Sequence, residues 1–266
     1  MKRIVVGTDG TDAGNTAVRW AAGLCQATGS ELVIGSAWSP AGDDESEAAH
    51  ERALDEAWRP PEPLPEVSRT TRVLRGAAGD ALARLAIEVD ADLVAIGVSP
   101  ATARRNRVAR HLLHHLHRPL AVVPMDPPRV ANRDLVVGID GSHASEAALR
   151  WAIDLVRDVG ADVTAVFAHD PLADSYPHPD LDNWLYHGEA AVRSELERAR
   201  DDAIDVDLVR PPGKPDDVLG RVADVVGAAA IIVGTRGLGG FHDRIVGGVP
   251  MRLVERATRP VIVVPH

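Results

Sequence analysis

The sequence predicts an α/β protein made of two tandem doubly wound domains, and three observations carry that reading. The chain is written twice: residues 3–38 align without a gap on 134–169, so that Gly7 falls on Gly138, Asp9 on Asp140, Gly10 on Gly141, Trp20 on Trp151 and Gly29 on Gly160. Gly76 then pairs with Gly213, Gly97 with Gly234, and RPLAVVP (118–124) with RPVIVVP (259–265). Each copy also alternates short β-branched runs with segments of helical periodicity. Strand and helix in that order give a parallel sheet through right-handed crossovers, with helices on both faces. The expected domains are 1–126 and 132–266, and MDPPRVANR (125–133), with two prolines and no apolar period, reads as their connection.

Taken in order, IVVG and LVVG are the first strand of each copy, β-branched throughout as a strand buried on both faces should be. Ala13, Ala17, Ala21 and Leu24 follow at helical spacing, as do Ala144, Ala148, Ala152 and Leu155. Gly29 and Gly160 stand where those helices would end in the left-handed conformation. Further strands are expected at 31–38, 67–74, 92–97 and 119–124, with counterparts at 162–169, 204–210, 229–234 and 260–265. Ligands of such sheets bind beyond the C-terminal strand ends, near the switch point. That brings together the turn after strand 1, the end of strand 2 and the loop after strand 4.

Composition narrows the function. Hydrophobic residues make up 45% and charged ones 26%, a globular balance. A net charge of -10 argues against affinity for nucleic acid through phosphate neutralisation. Five tryptophans, two tyrosines and two phenylalanines are too few for base-stacking platforms. Cys25 is the single cysteine, which excludes an internal disulfide framework and a multi-cysteine metal site. The apolar runs are strand-sized, and MKRIVVGTDG enters a strand with no signal-peptide core, so no membrane association and a cytoplasmic location are expected.

The loop after the fourth strand of the second copy reads GTRGLGGFHDRIVGGVPMRLVERA (234–257), with five glycines between Gly237 and Gly248 ahead of a helical stretch. Glycines let backbone amides approach an anion, and a helix start adds unpaired N–H groups and the positive end of its dipole. Arg236, Arg244 and Arg252 could add guanidinium contacts to phosphates. No Walker A motif occurs, and His242 stands where a G-x-G-x-x-G run would end. A plain surface loop is the competing reading, and the position of this loop opposite Asp140 weighs against it.

The spacing Gly234-x2-Gly237-x9-Gly247, the opening VVGIDGS and the ending RPVIVVP resemble the universal stress protein family, and both halves share the resemblance. It implies a five-stranded sheet of order 3-2-1-4-5 in each half and, as in one branch of that family, ATP bound with or without Mg2+. By position, Asp140 with Gly141 and Ser142 would face the adenine and ribose side, and Ala168 would flank the base. Gly234, Thr235, Arg236, Gly237 and Gly239 would line the ribose and phosphates, and Gly247, Gly248 and Val249 would offer amides to the phosphate tail. The family usually has Ser or Thr where this chain has Gly248, which costs about one neutral hydrogen bond, roughly 0.5–1.5 kcal/mol. The resemblance also implies a homodimer. Between Gly97 and Pro119 the first copy is four residues shorter than the second and has no glycine, so its nucleotide loop reads as degenerate.

The reading is therefore a non-enzymatic stress-response or regulatory protein whose partner affinity ATP biases. The alternatives are a slow ATP-hydrolysing or phosphotransferring enzyme of the adenine-nucleotide-binding α/β group, and a nucleotide-free interaction module. His242 and Asp243 could serve acid–base chemistry, but no nucleophile with a neighbouring base accompanies them. Arg104, Arg105, Arg107 and Arg110 read as a solvated helix start, and His111, His114 and His115 as a core-facing helix rather than a metal site. Cys25 reads as a small buried hydrophobe, and Trp20 and Trp151 as packing residues.

Overall fold

The computed structural model describes residues 1–39, 49–50, 66–100, 106–127, 133–168, 192–200, 204–235, 247–256 and 258–266. The chain divides into two units, Met1–Pro127 and Pro128–His266.

In the first unit β1 (Arg3–Gly7), β2 (Glu31–Trp38), β3 (Arg69–Arg75), β4 (Leu93–Val98) and β5 (Leu120–Pro124) lie in the order β3-β2-β1-β4-β5. The pairs are parallel, with Ile4 opposite Leu32 on one side and Leu93 on the other. The second unit repeats this with β6 (Leu135–Gly138), β7 (Val163–Val166), β8 (Val206–Val209), β9 (Ala230–Gly234) and β10 (Val261–Val264), in the order β8-β7-β6-β9-β10. Both sheets therefore have the 3-2-1-4-5 order that the family resemblance implied. The central strands are the core: Ile4, Val5, Val6, Leu93, Val94, Val136, Val137 and Ile232 are buried completely. The outer strand β3 is mostly exposed and β8 half so, and they carry Arg69, Thr70, Arg72 and Asp207, which blunts an open edge. Strand 162–169 is shorter than expected, ending at Val166, although Phe167 still donates its N–H to Val209 O at 3.0 Å.

The helices are α1 (Asp12–Thr28), α2 (Ala78–Glu88) and α3 (Arg107–His115) in the first unit, and α4 (His143–Val159), α5 (Pro215–Val226) and α6 (Gly248–Glu255) in the second, where residues 192–200 are also helical. The start of α1 is fixed by Thr11, whose hydroxyl accepts from Gly14 N–H, and that of α4 by Ser142, which accepts from Ser145 N–H. Both end at the expected left-handed glycines, Gly29 and Gly160. Their buried faces are small: Ala13, Gly14, Ala17 and Ala21 let α1 settle closely on β1, β4 and β5, as Ala144, Ala148 and Ala152 let α4 settle on β6, β9 and β10. Trp20 and Trp151 are half-buried in equivalent places. Among the described residues no helix is long and apolar enough to cross a membrane.

Candidate functional site

The site begins at the turn that leaves β6. Asp140 Oδ1 accepts from Ser142 N–H at 3.0 Å and from the Ser142 hydroxyl at 2.6 Å, while Asp140 N–H donates to Ser145 Oγ at 3.3 Å. Gly141 supplies the left-handed residue of this turn with φ 78. The first unit builds the same device: Asp9 Oδ1 accepts from Thr11 N–H at 3.1 Å and from its hydroxyl at 2.6 Å, over Gly10 with φ 77. The Asp-Gly-Ser/Thr signature thus ties the turn to the helix cap in both halves, whatever else it binds.

β6 lies between β7 and β9, so its turn is flanked by Ala168 beyond β7 and by Gly234 and Thr235 at the end of β9. Gly234 is buried against α4: a Cβ there would lie 2.5 Å from Ala144 O. Thr235 O accepts the Gly247 N–H at 2.8 Å, which brings the two ends of the glycine-rich loop together. The loop itself, with Arg236, Gly237, Gly239, His242, Asp243 and Arg244, lies outside the described residues. Beyond it α6 starts at Gly247, which offers no side-chain cap. The N–H groups of the first helical turn, at Gly248 and Val249, therefore have no side-chain acceptor at the cap position; Pro250 has no N–H to lose.

Arg252, one turn on, has a job that the sequence did not reveal. Its Nε donates to Asp216 Oδ1 at 2.8 Å, and a Cβ at Gly248 would lie 2.8 Å from its Nη1. Asp216, in the first turn of α5, is buried and also meets Arg256 at 3.6 Å. The guanidinium is thus held beside the start of α6 by a carboxylate from another helix.

The corresponding cleft of the first unit holds only about 100 Å³ and is lined by Asp9, Ala37, Gly97, Asn106 and Val108 among others. Small-molecule sites usually hold about 300–1,000 Å³. Here the helix start is closed, since the Asn106 side chain accepts the Ala109 N–H at 2.8 Å. Asn106 does to α3 what Gly247 leaves undone for α6.

The remaining candidates resolve into local packing. His111 Nε2 lies 3.0 Å from Asp80 Oδ1 on α2, and the His111 and His115 rings stack at 4.3 Å. No cluster of three or more metal-ligating side chains occurs among the described residues. Arg107 and Arg110 are exposed on α3, whereas Arg104 and Arg105 lie outside the described residues. Cys25 is buried in α1, and burial pushes its thiol up to about 12.

Comparison with known proteins places this geometry. The sequence profile of the universal stress protein family matches residues 1–124 and again 131–265. A universal stress protein of Mycobacterium tuberculosis is 27% identical over 303 residues, covering 98% of this chain and 94% of that protein. Another, from Mycolicibacterium smegmatis, is 31% identical over 156 residues, 58% of this chain and 53% of that protein. Among solved structures, a universal stress protein from Archaeoglobus fulgidus superposes with a TM-score of 0.72 over 99% of this chain and 98% of its own, at 16% identity.

Proposed function

The chain belongs to the universal stress protein family, and on that premise we propose that its second half binds ATP while its first half does not. The observation that carries the difference is the helix start after the fourth strand: α6 opens on Gly247 without a side-chain cap, whereas Asn106 occupies the equivalent start of α3. Uncapped amides at the positive end of a helix dipole suit phosphate oxygens. In this reading Asp140, Gly141, Ser142 and Ala168 hold the nucleoside end. Gly234, Thr235, Arg236, Gly237 and Gly239 line its path, and Gly248 and Val249 donate to the phosphates; Gly247, expected from the sequence to join them, instead gives its N–H to Thr235 O and closes the loop. Arg252 supports the same end, because its Asp216 tether keeps a guanidinium beside Gly248.

ATP acts here as a ligand rather than a reactant. It stabilises the conformation it binds better, so its level sets the protein's affinity for a partner without chemistry. The protein would work in the cytoplasm as a homodimer, which light scattering on the purified protein tests. The binding reading is tested by denaturing purified protein and identifying released nucleotide by chromatography, beside Gly237→Ala. About one equivalent of ATP per chain, lost in the variant, is expected. Two equivalents would show that the first half binds as well, and no release with no uptake of added ATP would leave the chain as a nucleotide-free member of the fold.

A further inference from the structure

A pocket in the second unit is lined by none of the residues assigned to the nucleotide. It holds about 260 Å³ and opens between helical residues 192–200 and the ends of β7 and β8. Its apolar lining is Ile139 and Val192, both buried, with Phe167, Leu196 and the more exposed Leu208, and its charged lining is Arg193, Arg200, Arg210 and Glu197.

The sequence builds this wall by two periods. Val192, Leu196 and Arg200 stand four residues apart on one helix face, and Arg193 with Glu197 repeats the spacing beside them. Leu208 and Arg210 alternate along the β8 direction and so share a face of the sheet. The helix is held by Glu195 beneath it, which accepts from Arg150 Nε of α4 at 2.9 Å and lies 3.1 Å from Arg198. In the first unit the residue aligned with Phe167 is Ser36, which is buried and bonded to His50 Nε2 at 3.0 Å. The aromatic at this position is therefore particular to the second half. Phe167 and Ile139 line this pocket, whereas their chain neighbours Ala168 and Asp140, assigned to the nucleotide, do not.

We propose that this pocket is a second ligand site, taking a small amphipathic monocarboxylate whose aliphatic tail rests on Phe167, Leu196 and Leu208 and whose head meets the lining arginines. Three guanidiniums on a chain of net charge -10 select for an anion, and planar guanidinium forks match a carboxylate. Glu197 on the same face repels a second negative charge, which favours a monoanion. The volume sits below the usual range for drug-sized ligands, so the tail is short.

Isothermal titration of the full-length protein with hexanoate, octanoate and decanoate, and with decanol, tests this. Binding should be saturable, and each added methylene that still fits should tighten it roughly threefold to fourfold. Decanol should bind far more weakly than decanoate. Arg200→Gln/Arg210→Gln should weaken decanoate roughly tenfold, and Leu196→Trp, which fills the pocket, should abolish it. Both variants are first checked for a native circular dichroism spectrum. Gly237→Ala should bind decanoate as the parent does, which keeps this test independent of the nucleotide reading. No saturable heat with decanoate, equal affinity for decanol, or undiminished binding by the native-folded Leu196→Trp variant would each overturn the proposal.

Discussion

Gly97 and Gly234 show how little room the sheet leaves where the first helix of each unit begins. A Cβ at Gly97 would lie 2.0 Å from Ala13 O and one at Gly234 2.5 Å from Ala144 O, both backbone contacts that no rotamer change relieves. Gly234→Ala should therefore lower the stability of the second unit by about 1–3 kcal/mol in urea unfolding. Gly23 is the contrast: it lies in the middle of α1 with nothing within 4 Å of a Cβ, so Gly23→Ala should stabilise by about 0.5–1 kcal/mol. Unchanged stability in Gly234→Ala would show that α4 can slide on β9. A glycine pattern says that something comes close but not what comes close. That is why Gly234 reads from sequence as a ligand contact alone, while the structure adds a packing demand against α4 that Gly97 repeats in the half without a glycine loop. Cys25 was legible for the opposite reason, since its place on the apolar face of a helix leaves it no other neighbours. Its thiol is raised from 9.0 to about 12 by burial, so the folded state keeps a proton that the unfolded chain releases. Its contribution to stability is whole below pH 9.0 and is lost as the pH climbs toward about 12. Cys25→Ala should remove that part of the alkaline fall in Tm, and the parent thiol should react with a thiol reagent at neutral pH only after unfolding.

At the scale of elements, both halves join the third-strand helix to the fourth-strand helix through a carboxylate and a basic side chain: His111 and Arg252 are aligned, whereas Asp216 falls on Gly79, one residue before Asp80. α2 and α3 meet through Asp80 and His111, α5 and α6 through Asp216 and Arg252. The second pair is the stronger constraint, because Asp216 is 8% exposed and also faces Arg256. Removing the Arg252 guanidinium leaves that carboxylate poorly paired, while the half-exposed arginine limits the loss relative to a fully buried pair. Arg252→Ala should cost about 1–3 kcal/mol, and most of that cost should vanish when Asp216→Asn is made alongside it. Equal costs in both backgrounds would mean that the pair contributes no coupling energy. Strand positions, helix ends and the parallel sheet were readable here because they depend on local period, on single punctuating residues and on the handedness of crossovers, whereas the strand order came from the family resemblance. The ion pairs were not, because each joins residues more than thirty positions apart whose side chains carry no mutual signal in the chain. An arginine near a glycine loop therefore reads as a phosphate contact, although its first partner is a carboxylate on another helix.

Over the whole molecule, duplication supplied a frame, and divergence within that frame assigned the roles. Both units keep the sheet order, the Asp-Gly turn and the helix cap, which are requirements of folding. They differ at the helix start after the fourth strand and at the residue beyond the second strand, where Asn106 faces Gly247 and Ser36 faces Phe167 in the alignment. Positions that a fold needs are repeated, so differences at the C-terminal strand ends mark where the halves took separate tasks. Hydrogen exchange on the intact chain reads this out region by region. A ligand that binds only folded protein at 100 times its Kd adds about 2.7 kcal/mol to the opening free energy of the unit it occupies. Saturating ATP should therefore slow exchange in β6, β9 and the start of α6, and leave β1, β4 and the start of α3 unchanged. Equal slowing in both sets would assign nucleotide binding to the shared frame, to Asp9 and Asp140 alike. Slowing confined to β1, β4 and the start of α3 would place the site at Asn106 and remove the uncapped helix start as its cause.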